Sequence, residues 1–236
     1  MIKLLASVTT SQEALWALEA GVDIIDLKNP SEGALGALSI VLIREIVETV
    51  DGRATVSATI GDLPMQPELI VEAITETAAA GVDMVKVGFF PSADHLACIH
   101  AIKPLINRGI KIVSVLFADQ QPDFGLLPAL ASAGFFGAML DTAHKNGSSL
   151  MDNQPIGNLN DFVCKAKAVG LESGLAGSLK LKDVPDLLLL NPGYLGFRGA
   201  LCSGYNRVSA LDKSKIFELK NMLRKNNTSL NSLAYS

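Results

Sequence analysis

Gly21-Val22-Asp23-Ile24-Ile25-Asp26-Leu27-Lys28-Asn29-Pro30 decides how the chain is to be read. A glycine ahead of an apolar run is the usual left-handed stop of a preceding helix, so the run behind it reads as the next strand. Side chains alternate along a strand, which sets Ile24, Asp26 and Lys28 on one face and Ile25 and Leu27 on the other. A buried strand has little reason to hold a carboxylate and an ammonium on one face unless they are used. Taken alone, Asp-x-Lys has a plainer reading, an ion pair at a strand end.

Working outward, the same punctuation returns along the chain. Ala80-Gly81-Val82-Asp83 precedes Met84-Val85-Lys86-Val87-Gly88, and Ala133-Gly134-Phe135-Phe136 precedes Gly137-Ala138-Met139-Leu140-Asp141. Gly109, Gly170 and Gly193 stand ahead of three more apolar runs. The strands fall near 2–7, 23–28, 55–60, 84–88, 111–117, 137–141, 171–176 and 195–198. Helical patterns lie between them. Ser11 is the expected cap of the first, with Glu13 early in it and Ala14, Leu15 and Leu18 at helical spacing. Another runs from about residue 39 to 50. Strands that read as continuous apolar runs belong to a parallel sheet covered on both faces. Eight of them alternating with helices predict an α/β protein, a single-domain (β/α)8 TIM barrel over residues 1–225. A doubly wound open sheet is the alternative. It would want a Gly-x-Gly-x-x-Gly turn after the first strand, where Ser7-Val8-Thr9-Thr10-Ser11 stands. Residues 226–236 are polar and unpatterned and predict a disordered tail.

Composition narrows the function. At 49% hydrophobic and 19% charged, the 236 residues can fill a large core. A net charge of −4 offers no basic stripe for nucleic acid, yet leaves room for a local amine cluster around a small anion. Cys98, Cys164 and Cys202 lack Cys-x-x-Cys spacing, which suits free thiols in a reducing compartment. The chain opens on an apolar strand rather than a charged leader, and no run reaches a membrane span of roughly 20 apolar residues. A cytoplasmic protein with no membrane partner is expected, and homo-oligomerisation stays open. His95, His100 and His144 show no ligand spacing, so no metal and no cofactor are expected.

In a barrel of this kind the C-terminal strand ends carry the chemistry. Asp26 and Lys28 end strand two, Lys86 lies in strand four, Asp141 ends strand six with Lys145 four residues on, and Arg198 ends strand eight. Neighbouring ammonium groups disfavour one another, so at least one lysine should titrate low and be partly neutral. A neutral lysine is the nucleophile that forms an imine with an aldehyde or ketone. The aspartates would balance charge and shuttle protons. The weaker reading keeps the lysines as charges that hold an anionic substrate. Gly177 and Ser178 after strand seven, with Arg198, Gly199 and Ala200 closing strand eight, occupy the usual phosphate loops of such barrels. Ordinary tight turns would look the same. Asp62 and Asp119, after strands three and five, are rim groups or caps of the following turns.

Six segments carry a family resemblance: residues 23–36, 57–62, 85–88, 139–145, 175–178 and 197–200. On Asp23-Ile24-Ile25-Asp26-Leu27-Lys28-Asn29-Pro30 and Asp141-Thr142-Ala143-His144-Lys145 above all, the chain resembles the (5-formylfuran-3-yl)methyl phosphate synthase family of methanofuran biosynthesis. The resemblance implies a class I aldolase-like lyase that joins two glyceraldehyde 3-phosphates, with loss of one phosphate and two waters. It implies Lys28 as the Schiff-base lysine, Lys86 as proton acceptor, and Asp26, Asp141 and Lys145 completing the site. Phe117 stands where the family is expected to have tyrosine, in a loop that looks short. A phosphosugar isomerase or aldolase of the same fold, or a non-catalytic phosphometabolite-binding protein, are the competing readings.

Overall fold

A computed structural model describes residues 1–144 and 147–233. Eight parallel strands close into a barrel in chain order. They are β1 Lys3–Val8, β2 Ile24–Leu27, β3 Thr55–Thr59, β4 Met84–Phe89, β5 Lys111–Phe117, β6 Gly137–Asp141, β7 Glu172–Leu175 and β8 Tyr194–Phe197. The helices around them are α1 Ser11–Glu19, α2 Ile40–Val50, α3 Pro67–Ala79, α4 His95–Ile106, α5 Leu127–Ala133, α6 Leu150–Asn153, α7 Ile156–Ala168, α8 Val184–Leu189 and α9 Lys213–Leu233. This is the single-domain (β/α)8 barrel expected from the glycine-strand punctuation. Among the described residues no helix is long and apolar enough to cross a membrane.

Helix α2 shows how the outer layer is held. Ser39 caps it, and Ile43, Ile46 and Val50 recur at helical spacing and are buried against the strands. Burial of such side chains is worth about 1.5–3 kcal/mol each. Helix α1 differs in one detail from expectation. Thr10, not Ser11, has the extended backbone a cap needs, and its hydroxyl accepts from the Glu13 N–H at 3.2 Å. Ser11 is already helical and donates to Glu45 at 2.6 Å. Helix α9 runs past residue 225, where a tail was expected to begin, after docking through Ile216, Leu219 and Leu223.

Two aspartates tie strand entrances together at the N-terminal end of the barrel. Asp23, ahead of β2, accepts from the Leu4 N–H at 2.7 Å, and Asp83, ahead of β4, accepts from the Val56 N–H at 2.7 Å. Above that end the interior is apolar, with Leu5, Ile24, Met84, Val113, Val115, Met139 and Tyr194 packed together. The next level up is polar and equally buried: Ser7, Asp26, Ser57, Lys86 and Asp141. A packed apolar base under a polar layer places the reactive groups at the strand C-termini.

Candidate active site

Asp26 stands at the centre of the polar layer, fully buried. Its strand neighbours in register are Ser7 on β1 and Ser57 on β3. Both hydroxyls donate to its carboxylate, at 2.9 Å and 2.7 Å. The third donor is the Lys86 ammonium at 2.8 Å. Burial pushes the Asp26 pKa up, but the charges of Lys86 and Lys28 and the bonds from Lys86 and Ser57 outweigh it and hold the carboxyl below the usual range. For Lys86 the balance runs the other way. Burial and the Lys28 charge pull its pKa below the usual lysine range, against the opposing pull of Asp26 and Asp141.

Lys28 follows β2 directly, and its backbone N–H continues the ladder to Val8 O at 3.2 Å. Its amine faces Asp141 across the mouth at 3.5 Å. The Asp141 carboxylate also accepts from the Thr142 N–H at 2.7 Å, which fixes its direction. Asp26 and Lys28, adjacent on one strand face, are therefore each ion-paired across the barrel rather than to each other. Four of the five residues expected to carry the chemistry meet here. Lys145, the fifth, lies outside the described residues.

Rim aspartates hold the loops that bear these groups. Asp62 accepts from the N–H groups of Ala34 and Leu35, both at 2.7 Å, and fastens the loop that follows Lys28. A Cβ on Gly33 would sit 2.0 Å from the Asp62 carboxylate, at a φ of +100°. Glycine is required there. Asp119 fastens the loop after β6 through the N–H groups of Ala143 and His144, each at 2.8 Å, and through His144 Nδ1 at 2.8 Å. Both aspartates are rim groups that staple a neighbouring strand's loop, rather than caps of the turns that follow them.

A cavity of about 580 Å³ opens above the lysine–aspartate pairs. Gly177, Ser178, Gly199 and Ala200 line it, as expected for an anion site. Among the described residues the N–H groups of Ser178, Gly199 and Ala200 have no protein acceptor. Gly177 is under a local constraint as well. A Cβ there would lie 3.0 Å from the Thr142 N and Cγ2 atoms, so its place is set by the end of β6.

Arg198 does not serve as expected. Its Nη1 and Nη2 donate to Glu13 at 2.6 and 3.3 Å. The remaining N–H groups reach Ser7 O at 3.1 Å, Arg207 O at 2.9 Å and Ser209 O at 2.8 Å. A guanidinium has five N–H donors, and here protein takes them all. Glu13 accepts in addition from Thr9 and from the Leu211 N–H at 2.9 Å. The pair is a buried clamp across the β8–β1 seam. A charged residue at a strand end gave no sign in the sequence that a helix glutamate would use it up. Arg198, Lys180 and Arg207 line the cavity together with Lys28 and Lys86, and sequence reasoning missed Lys180 and Arg207. Arg207 sits in an aperiodic stretch beyond the last strand, where spacing carries no signal. Phe117, stacked on Phe90 with ring centroids 4.4 Å apart, packs beside Leu35 and is not part of the cavity lining.

The fold is shared with distant barrels. Phosphoribosyl anthranilate isomerase from Thermus thermophilus superposes with a TM-score of 0.68 at 15% identity, covering 95% of this chain and 99% of that one. The 3-hexulose-6-phosphate synthase of Salmonella typhimurium gives 0.67 at 19%, covering 94% and 99%. At such identities only the fold is shown. Sequence relatives stand much closer. A Methylorubrum extorquens protein is 43% identical over 222 residues, 94% of this chain and 92% of that one. The (5-formylfuran-3-yl)methyl phosphate synthase of Methanosarcina mazei is 37% identical over 86% of this chain and 92% of its own. That of Methanocaldococcus jannaschii is 35% identical over 94% and 99%. The sequence profile of 4-HFC-P synthase matches residues 4–220, so the chain belongs to the 4-HFC-P synthase family.

Proposed function

We propose that this enzyme condenses two glyceraldehyde 3-phosphates into (5-formylfuran-3-yl)methyl phosphate, releasing one phosphate and two waters, with Lys28 as the imine-forming amine. The observation that carries the reading is the double pair at the barrel mouth, Lys86–Asp26 at 2.8 Å and Lys28–Asp141 at 3.5 Å, under a cavity rimmed by small residues. Kinship with synthases of that name supports the substrate and product.

Role follows from how firmly each amine is held. Lys86 is locked on Asp26 by a short bond at full burial, and is a poor candidate to travel to a carbonyl. Lys28 has only a long contact to Asp141 and lines the cavity. An attacking amine must be free of its proton. Lys86, whose burial favours the neutral form, is the group that takes protons up, and Asp26 stabilises it once charged. The imine then acts as the electron sink that lets a neighbouring carbon lose a proton and attack the second aldehyde. Asp141, beside Lys28, passes protons to and from departing oxygens. Amide groups of Ser178, Gly199 and Ala200 receive a substrate phosphate, since backbone N–H groups are suited to that anion.

Borohydride reduction of the protein with glyceraldehyde 3-phosphate tests this. The peptide that holds Lys28 should gain a triose-derived mass, Lys28→Ala should gain none, and the unreduced reaction should release phosphate as furan absorbance rises. A label confined to the Lys86 peptide would exchange the two roles. Phosphate-free turnover with no label at all would favour an isomerase that uses its lysines as charges.

A further inference from the structure

Two phosphorylated trioses bring two phosphates into one cavity, and the proposed condensation retains one and expels the other. Resting on that reaction, the question is where the second anion is held. The amines of Lys28 and Lys86 are paired with carboxylates, Arg198 has given all its donors to protein, and Lys180 stands exposed at the rim. Arg207 is different. Its side chain is half-buried and lines the cavity. Its Cβ lies beside Gly199, 3.9 Å from where a Cβ on that glycine would be. From there the side chain crosses the mouth, and Nη2 donates to Gly33 O at 2.9 Å on the loop that follows Lys28. Among the described residues no other donor of this guanidinium has a partner, and no carboxylate lies within ion-pair distance. The charges of Asp141 and Asp62 act on it from a distance, and that of Arg198 opposes them.

Among the described residues the mouth therefore offers two anion-receiving poles. Free amides stand on the β7–β8 side, and a guanidinium with unspent donors stands on the β2 side. Lys28 lines the same cavity. We infer that Arg207 is the anchor for the phosphate that is expelled, while the amides of Ser178, Gly199 and Ala200 hold the phosphate that stays. An arginine stays charged at every pH an enzyme meets and can grip a phosphate through two parallel N–H bonds. Its neighbours Tyr205 and Asn206 are exposed, so an anion at this pole has a direct way out. In the expulsion step, a C–H next to the ester-bearing carbon gives its proton to the Lys86 amine. Its electron pair forms the C=C bond as the C–O bond to phosphate breaks. The oxygen leaves with that bond's electrons and takes the proton back, so the site regains its starting charge and the product is hydrogen phosphate.

Three measurements on the full chain test the assignment, using Arg207→Gln, Arg207→Lys and Arg207→Ala. Inorganic phosphate titrated into the wild-type protein should occupy two sites, and into Arg207→Gln only one. Steady-state phosphate release by Arg207→Gln should fall about 10²-fold in kcat/KM, with Arg207→Lys recovering part of the loss. Added guanidinium should restore release in Arg207→Ala, which a merely structural role would not allow. Borohydride labelling of Lys28 with a single triose should survive in all three variants. If wild-type labelling fails, the imine reading fails and not this one. If Arg207→Gln still binds two phosphates and releases product at the normal rate, Arg207 is not the anchor. Loss of Lys28 labelling along with release would overturn it too, by making Arg207 an anchor of the first triose.

Discussion

Removing the Glu13 carboxylate tests whether the β8–β1 clamp holds the barrel shut. In Glu13→Ala the Arg198 guanidinium stays buried and keeps only the carbonyls of Ser7, Arg207 and Ser209. Breaking one side of a buried pair costs about 3–5 kcal/mol. Against a total stability of about 5–15 kcal/mol, that is a large share. In a chain of this length it corresponds to a melting point lower by roughly 6–20 °C. The assay is urea unfolding of wild type, Glu13→Ala and the double variant Glu13→Met with Arg198→Met, comparing midpoints at constant slope. The double variant should recover most of the loss, because an apolar pair of similar volume carries no desolvated charge. Acid adds a second readout. Burial pushes Glu13 up, yet its bonds to Arg198, Leu211 and Thr9 bring its folded pKa below the ordinary 4.5. A carboxylate depressed in the fold gives stability that is full above about 4.5 and is lost as pH falls through the folded value. Glu13→Ala should lack that part of the acid slope. A loss under about 1 kcal/mol, the scale of an exposed pair, with an unchanged acid slope would refute the clamp.

Two further outcomes are expected. Because Lys86 titrates below the usual lysine range, kcat should rise with pH along a limb set by its deprotonation, and Lys86→Met should abolish that limb and slow turnover by at least about 10²-fold. A wild-type limb that persists in Lys86→Met would place the base elsewhere. Gly177→Val should push into Thr142 and the end of β6, displacing Asp141, so kcat should fall more than KM rises. A change in KM alone would return Gly177 to the role of an anion ligand.

The fold was legible because its signal is repeated and local. Each glycine that stops a helix is followed by an apolar run, and the eight strands fall within a few residues of where those runs lie. The meeting of Asp26, Lys28, Lys86 and Asp141 was legible for the same reason, since strand ends in a closed barrel converge whatever the loops do. Pairing was not. Lys28 beside Asp26 in sequence suggests one ion pair, whereas the register across β1, β2 and β3 hands Asp26 to two serines and Lys86. Arg198 was misread because a strand-end arginine looks the same whether a phosphate or a helix glutamate satisfies it. Arg207 had no periodic context at all. Its importance lies in donors left over, and that can be counted only once every other hydrogen bond is known.

The aspartate ties at the strand entrances have a consequence for the chemistry. Asp23 binds the β1 entrance from β2, and Asp83 binds the β3 entrance from β4, so the two strand pairs share one kind of tie. Three residues beyond the tie stands Asp26 in one pair and Lys86 in the other. Their partners in register are Ser7 and Thr59, again equivalent positions. The Lys86–Asp26 contact thus joins equivalent positions of the two strand pairs, filled once with each sign. Equivalent positions in the two pairs put both side chains in the same polar layer of the barrel. There an acid faces a base, and no specialised loop is needed to make them meet.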